Sequence, residues 1–266
     1  MELLDLAVGI AREAGALLLD RLHDVRTAVE SKSTPTDLVS EVDKAAEALI
    51  VGRLRDARPD DAILAEEGTA DAGASGLRWV VDPLDGTINY LYRRAAFAVS
   101  IAAEDASGGL VGVVYDPQRD ALYTAVRGGG AYLNGSPVRC GDATELAFAL
   151  LGTGFSYAAE VRAAQAAAMT YVLPRVRDIR RAGAATLDLC GVAEGTLDAY
   201  YERGLAPWDL AAGRVVATEA GAVVRVLPAP PVDTPNGTVT GEVVLAAPPA
   251  LAGALEALVR EAGGLA

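Results

Sequence analysis

Histidine is almost missing from this chain. Its 266 residues hold one, His23, beside two cysteines, Cys140 and Cys190, and aromatic side chains make up only 5%. Each shortage removes a chemistry. A Ser-His-Asp triad, a multi-histidine zinc centre and a phosphohistidine enzyme all need an imidazole in the site, whereas His23 ends a helix and is read as solvent-facing. Neither cysteine is followed by Arg six positions on, so a cysteine loop that cradles phosphate is excluded. There is no CxxC and no disulfide framework, which fits a reducing compartment, and a cytoplasmic location is expected. No GxxxxGK[ST] occurs. Gly152-Thr153-Gly154 lacks the third glycine of a dinucleotide loop, position 157 being Tyr, and reads as a tight strand-to-helix turn. No stretch of about 18 uncharged apolar residues is present. The first 22 residues carry Asp5, Arg12, Glu13 and Asp20, so neither a signal peptide nor a membrane span is expected.

Positive charge is also scarce. Lys and Arg number 23 against 36 Asp and Glu, a net charge of -13. Such a surface repels phosphate backbones at long range, and nucleic acid is not an expected partner. An acid-built site can accept a phosphate only where cations intervene.

What is abundant is small apolar residues. The hydrophobic fraction is 52%, enough for a sizeable core and an oligomer interface. Leu3, Leu4, Ala7, Ile10, Ala11, Ala14, Leu17, Leu18 and Leu22 recur at three- and four-residue steps, an amphipathic helix. A second helix is expected over Ser40 to about Arg55. Short strands follow at Ala62 to Ala65, Trp79 to Val81, Phe97 to Ala103, Leu110 to Tyr115 and Ala121 to Val126, with turns between them that suggest an antiparallel meander. Beyond about residue 146 the rhythm becomes mixed. Strands are expected at Leu146 to Leu151, before Arg180, and at Ala199 to Tyr201, Ala222 to Val226 and Val243 to Ala246. Helices are expected at Ala158 to Tyr171, Thr186 to Glu194, Trp208 to Glu219 and Ala250 to Glu261. Pro228 to Gly241, rich in Pro, Thr and Gly, reads as a surface loop.

The acids fall in places that carry chemistry. In Trp79-Val80-Val81-Asp82-Pro83-Leu84-Asp85-Gly86-Thr87 a buried strand delivers Asp82, Pro83 interrupts the ladder, and Asp85 brings a second carboxylate to the same region. Gly86 and Thr87 then expose N–H groups at the start of a short helix. Carboxylates favour a hard cation, and free N–H groups favour a phosphate. Ala62-Ile63-Leu64-Ala65-Glu66-Glu67 ends a second strand in acids. Ala206-Pro207-Trp208-Asp209 sets an acid at the start of a helix, where the helix dipole alone would also favour it.

Taken together, KSTPTDLVSEVD, AEEGT, WVVDPLDGTINY, GGGAYLNG, RRAGAATLDLC and YYERGLAPWDLAAG stand in the order found in the inositol monophosphatases, which the sequence resembles over essentially its whole length. The resemblance implies a layered αβαβα sandwich, a single catalytic domain over 1–266 with an antiparallel-sheet half at about 1–143 and a mixed half at about 144–266. It implies Mg²⁺-dependent hydrolysis of small phosphate monoesters, inositol monophosphate foremost, by a metal-activated water with no phosphoenzyme. By similarity Glu66, Asp82, Asp85, Asp209 and the Leu84 carbonyl would hold about two or three Mg²⁺ ions. Glu66 and Thr87 would position the water and Asp43 would polarise the Thr87 hydroxyl. Gly86 and Thr87 would bind phosphate oxygens, and Asp85, Ala185 and Glu202 would contact the substrate. Lys32 and Asp37 would belong to the active-site loop. A homodimer and lithium sensitivity are family traits.

Departures occur where many relatives have His-Gly-x-Pro: here Tyr92-Arg93-Arg94-Ala95-Ala96 offers a cationic rim. The same metal site would also serve histidinol phosphate, fructose 1,6-bisphosphate or a nucleotide 3'-phosphate. A haloacid dehalogenase-type DxD nucleophile is disfavoured by the extra residue between Asp82 and Asp85. The non-enzymatic alternative is a degenerate regulatory or binding protein.

Overall fold

The computed structural model describes residues 2–22, 29–31, 38–234 and 237–263. His23, Lys32 and Asp37 lie outside them. The chain builds five layers. Helices α1 (Leu3–Arg21) and α2 (Glu41–Ala57) cover one face of an eight-stranded sheet. That sheet comprises β3 (Ala62–Ala65), β4 (Ala70–Asp71), β5 (Arg78–Asp85), β6 (Ala98–Asp105), β7 (Gly108–Asp116), β8 (Ala121–Val126), β9 (Gly130–Leu133) and β10 (Ser136–Val138), in the order β10-β9-β8-β7-β6-β5-β3-β4. Between β5 and β6 runs the short helix α3 (Thr87–Leu91), and β1 (Val29–Ser31) and β2 (Leu38–Ser40) form a separate antiparallel pair.

Helices α5 (Ala185–Glu194) and α6 (Pro207–Glu219) fill the middle layer. A second sheet follows, ordered β12-β11-β13-β15-β14 and made of β11 (Leu150–Thr153), β12 (Asp178–Arg180), β13 (Ala199–Arg203), β14 (Val223–Thr234) and β15 (Gly237–Ala247). The outer layer, α4 (Ala159–Val172) and α7 (Pro249–Glu261), closes over its far side. The expected αβαβα sandwich is the fold observed. No helix among the described residues is long and apolar enough to cross a membrane.

Three sequence expectations need correction. The first sheet is not a pure meander, because β3 and β5 run parallel. The segment read as a strand from Leu146 starts as a 3₁₀ turn, Leu146–Phe148, and the strand begins only at Leu150. Pro228 to Gly241 is not a loop. It is the far end of a long antiparallel hairpin, with Val232 paired to Val239 and Thr234 to Gly237, and the register shifts between Ala229 and Val232. Prolines are compatible with a strand at a sheet edge or a bulge, and β14 is an edge strand whose register shift spans Pro230 and Pro231.

Small residues let the middle layer close on the sheet. A Cβ on Gly112 of β7 would meet the Ala212 carbonyl oxygen of α6 at 2.6 Å and the Val215 Cβ at 2.9 Å. On another side of α6, Gly213 lies against Leu189 of α5. The Ser100 hydroxyl of β6 reaches the Trp208 carbonyl at 3.4 Å, tethering the first turn of α6 to the sheet. Gly112→Ala therefore forces α6 away from β7, and should cost about 1–3 kcal/mol of stability, read as a lower urea midpoint. An unchanged midpoint would mean that this contact is slack.

Candidate active site

The site begins with the parity of β5. Asp85 lies three positions after Asp82, so a regular strand would point them to opposite faces. The pairing with β6 prevents this: Asp82 faces Ser100 and Asp85 faces Ala98, three steps on one strand against two on the other. The extra residue is a β-bulge at Pro83-Leu84, where proline has no N–H to lose. Leu84 turns toward the α1/α2 core. Asp82 and Asp85 both line the cavity beside the middle layer, and are 1% and 8% exposed. The Leu84 N–H donates to Asp82 Oδ1 at 2.9 Å, fixing that carboxyl.

Gly86 follows with φ of 89°, and a Cβ there would come within 2.7 Å of the Ala96 carbonyl. Only glycine suits that position. The Thr87 hydroxyl donates to the Leu84 carbonyl at 3.1 Å. Glu66 arrives from the turn after β3, its N–H bonded to the Val81 carbonyl at 3.2 Å. Asp209 occupies the third helical position of α6 and accepts the Ala206 N–H at 2.7 Å. This is half of a capping box, since Ala206 has no side-chain acceptor to return the bond.

Glu66, Asp82, Leu84, Asp85, Gly86, Thr87, Ala185, Glu202 and Asp209 all line one cavity of about 320 Å³. Asp43 is buried in the first turn of α2 and is not among the lining residues. The tyrosine at position 200 donates to Glu202 Oε2 at 2.7 Å. Gly154, just beyond β11, leaves the space that the Glu202 carboxyl occupies, because a Cβ there would collide with it. This, rather than a tight turn, is why glycine follows Gly152-Thr153.

The cationic rim differs from expectation. Arg93 and Arg94 are exposed outside the cavity, and the arginines that line it are Arg181 and Arg203.

Two contributors escaped sequence reasoning. Thr186 donates its N–H at 2.8 Å and its hydroxyl at 2.5 Å to Asp85 Oδ2, and only the three-dimensional approach of α5 to β5 reveals it. Asn89, in α3, donates to the carbonyls of Ala96 at 2.7 Å and Ala182 at 2.9 Å, tying α3 to the segment before α5.

The electrostatics are those of crowded acids. Burial, then the charges of Glu66, Asp85 and Asp209, and finally a hydrogen bond with Glu66 push the Asp82 carboxyl well above the usual range. Burial followed by the charge of Asp85 does the same to Asp209. Asp85 rises to about 6, mainly through burial, although the Thr186 hydrogen bonds pull it down. Burial lifts Glu202 to about 7 and Asp188 to about 8. The donor set, four carboxylates and a carbonyl, suits a hard divalent cation. Among the described residues no three His, Cys, Asp or Glu side chains stand together closely enough, as placed, to hold a cation.

The sequence pattern of the inositol monophosphatase family matches residues 1–264. The chain belongs to the inositol monophosphatase family. Among curated relatives, the "Inositol-1-monophosphatase SuhB" of Mycobacterium tuberculosis is 44% identical over 263 residues, covering 96% of this chain and 89% of that protein. An Escherichia coli relative called "Nus factor SuhB" is 41% identical over 229 residues, 84% of each. Among solved structures, the extragenic suppressor protein suhB of Bartonella henselae superposes with a TM-score of 0.85 at 34% identity, covering 96% of this chain and 97% of that one. This family member thus shares its five-layer architecture with inositol monophosphatase structures.

The raised acids make a prediction with a definite sign. Asp85, Glu202 and Asp188 hold protons more tightly folded than unfolded, so between about pH 4 and pH 8 the fold loses stability as pH rises. In chelator, the melting temperature should be higher at pH 5.5 than at pH 8, and Mg²⁺ should raise it more at pH 8, where protons no longer compete. A chelated protein that melts higher at pH 8 would contradict this.

Proposed function

We propose that this chain hydrolyses small phosphate monoesters with Mg²⁺, inositol monophosphate foremost. The observation that carries the reading is the convergence of Glu66, Asp82, Asp85 and Asp209, delivered by a turn, a bulged strand and a helix, on the cavity that also holds Gly86 and Thr87. Bound by those acids and the Leu84 carbonyl, Mg²⁺ would supply Lewis acidity and offset the charge of both the carboxylates and the phosphate. The chain's own groups do the rest. Gly86 and Thr87 N–H groups hold phosphate oxygens. The Thr87 hydroxyl turns from the Leu84 carbonyl toward Asp43 and, with Glu66, orients the attacking water in line with the leaving oxygen. Attack forms one P–O bond and breaks the ester P–O bond, releasing the alcohol and inorganic phosphate. Asp85, Ala185 and Glu202 contact the hydroxyls of the leaving group. Lys32 and Asp37 serve the loop beside the site. The protein acts as a cytoplasmic homodimer with lithium as an inhibitor.

Histidinol phosphate, fructose 1,6-bisphosphate and nucleotide 3'-phosphates compete as substrates at the same acids. The name of the E. coli relative favours a second reading, a binding role without turnover. Phosphate release across a panel of these esters with Mg²⁺ titrated separates the readings. The expectation is release that requires Mg²⁺, fastest with inositol monophosphate. Absence of release from every ester would favour the binding role.

Two variants probe the roles. Asp85→Asn should lower kcat by about 10²–10³-fold or more while leaving the circular dichroism spectrum intact, and normal turnover would remove Asp85 from the site. Glu202→Ala should raise KM for inositol monophosphate about tenfold, the loss of one charged hydrogen bond, and spare a small ester such as p-nitrophenyl phosphate. Equal losses on both would exclude Glu202 from specificity.

A further inference from the structure

Of the four acids, Glu66 is the one carried by a turn at the edge of the sheet. It begins the four-residue turn between β3 and β4, and β4 is a two-residue strand at the outer edge of the sheet. Edge turns with few bonds open easily. On its inner side the turn is held by two backbone bonds, from the Glu66 N–H to the Val81 carbonyl and from the Ala65 N–H to the Thr69 carbonyl. On the outer side one side chain closes it. Glu47 of α2, 6% exposed, accepts the Glu67 N–H at 2.6 Å through Oε2. Its Oε1 accepts the Thr69 N–H at 3.2 Å and the Thr69 hydroxyl at 2.7 Å. One carboxylate therefore grips the residue after Glu66 and the end of the turn together. Gly68 between them, at φ of 122°, lets the chain double back around it.

We propose that Glu47 is a positioning residue for the metal site: by clamping the 66–69 turn it holds the Glu66 carboxyl facing Asp82. The assignment rests on the Mg²⁺-site reading of the preceding section. Asp43 and Glu47 stand four residues apart, on one face of α2, and both are buried. One helix face thus carries the group proposed to polarise Thr87 and the group that fixes Glu66. Groups that orient metal ligands typically cost 10–100-fold in metal affinity when altered. Glutamine at position 47 can still accept from Thr69, but it turns an amide toward the Glu67 N–H and loses that bond.

The test follows Mg²⁺ binding by calorimetry and by the Mg²⁺-dependent rise in melting temperature, alongside phosphate release. Glu47→Gln should raise the half-saturating Mg²⁺ concentration about 10–100-fold, with kcat at saturating Mg²⁺ largely recovered. Thr69→Val removes one bond of the clamp and should shift the midpoint the same way by a smaller factor, and Thr69→Ser should restore it. Thr69→Val also decides the matter if Glu47→Gln fails to fold. A fall in metal-free melting temperature with an unchanged Mg²⁺ midpoint would reduce Glu47 to a structural role and overturn the proposal. Asp85→Asn is the control: wild type must bind Mg²⁺ and Asp85→Asn must bind it far more weakly. If both bind alike, the metal-site reading itself fails and the assignment of Glu47 falls with it.

Discussion

Four carboxyl groups line one cavity, Asp82 and Asp85 buried and Glu66 and Asp209 half-buried, and their like charges repel. Burial and mutual charge drive Asp82 and Asp209 far from ordinary carboxylate behaviour. The surrounding fold has to overcome this cost. It does so with backbone devices: the bulge that turns Asp82 and Asp85 to one face, the Leu84 and Ala206 N–H groups that fix Asp82 and Asp209, and the Thr186 bonds to Asp85. Each aims an oxygen without neutralising it, which leaves the charge to be answered by a divalent cation.

The layers explain how distant segments meet. Asp82 and Asp85 belong to the first sheet, Asp209 to the middle helices, and Glu202 to the second sheet. They come together because the middle layer sits close to both sheets, and small residues permit that approach. Gly112 admits the Ala212 backbone, Gly213 admits Leu189, and Gly154 admits the Glu202 carboxyl. A chain poor in aromatics and rich in alanine and glycine suits such a packing, because backbone-to-backbone closeness sets the position of the acids.

Much of this was legible in the sequence. Helical periodicity located α1, α2, α6 and α7, and the apolar run before Asp82 located β5, because burial on one face imposes those patterns. Glu66, Asp85 and Asp209 stood out because each lies at the end or start of an element, and Asp82 because it closes an apolar run. Other features were hidden for physical reasons. The hairpin at Pro228 to Gly241 was masked by prolines, which usually end strands yet fit an edge with a bulge. The register shift at Pro83-Leu84 depends on the partner strand. Thr186, Asn89 and Glu47 act across more than a local window, so spacing carries no trace of them. Arg181 joins Arg203 in the cavity wall, whereas Arg93 and Arg94, in the turn after α3, are exposed outside it.

The most direct measurement is crystallographic. Crystals grown with Mn²⁺ in place of Mg²⁺ and inorganic phosphate would give an anomalous map that locates the cations without assumption. Peaks should fall among Glu66, Asp82, Asp85 and Asp209, with phosphate density against the Gly86 and Thr87 N–H groups. Manganese bound elsewhere, with those four carboxyls free of any peak, would contradict the claim that repulsion among them is balanced by a divalent cation.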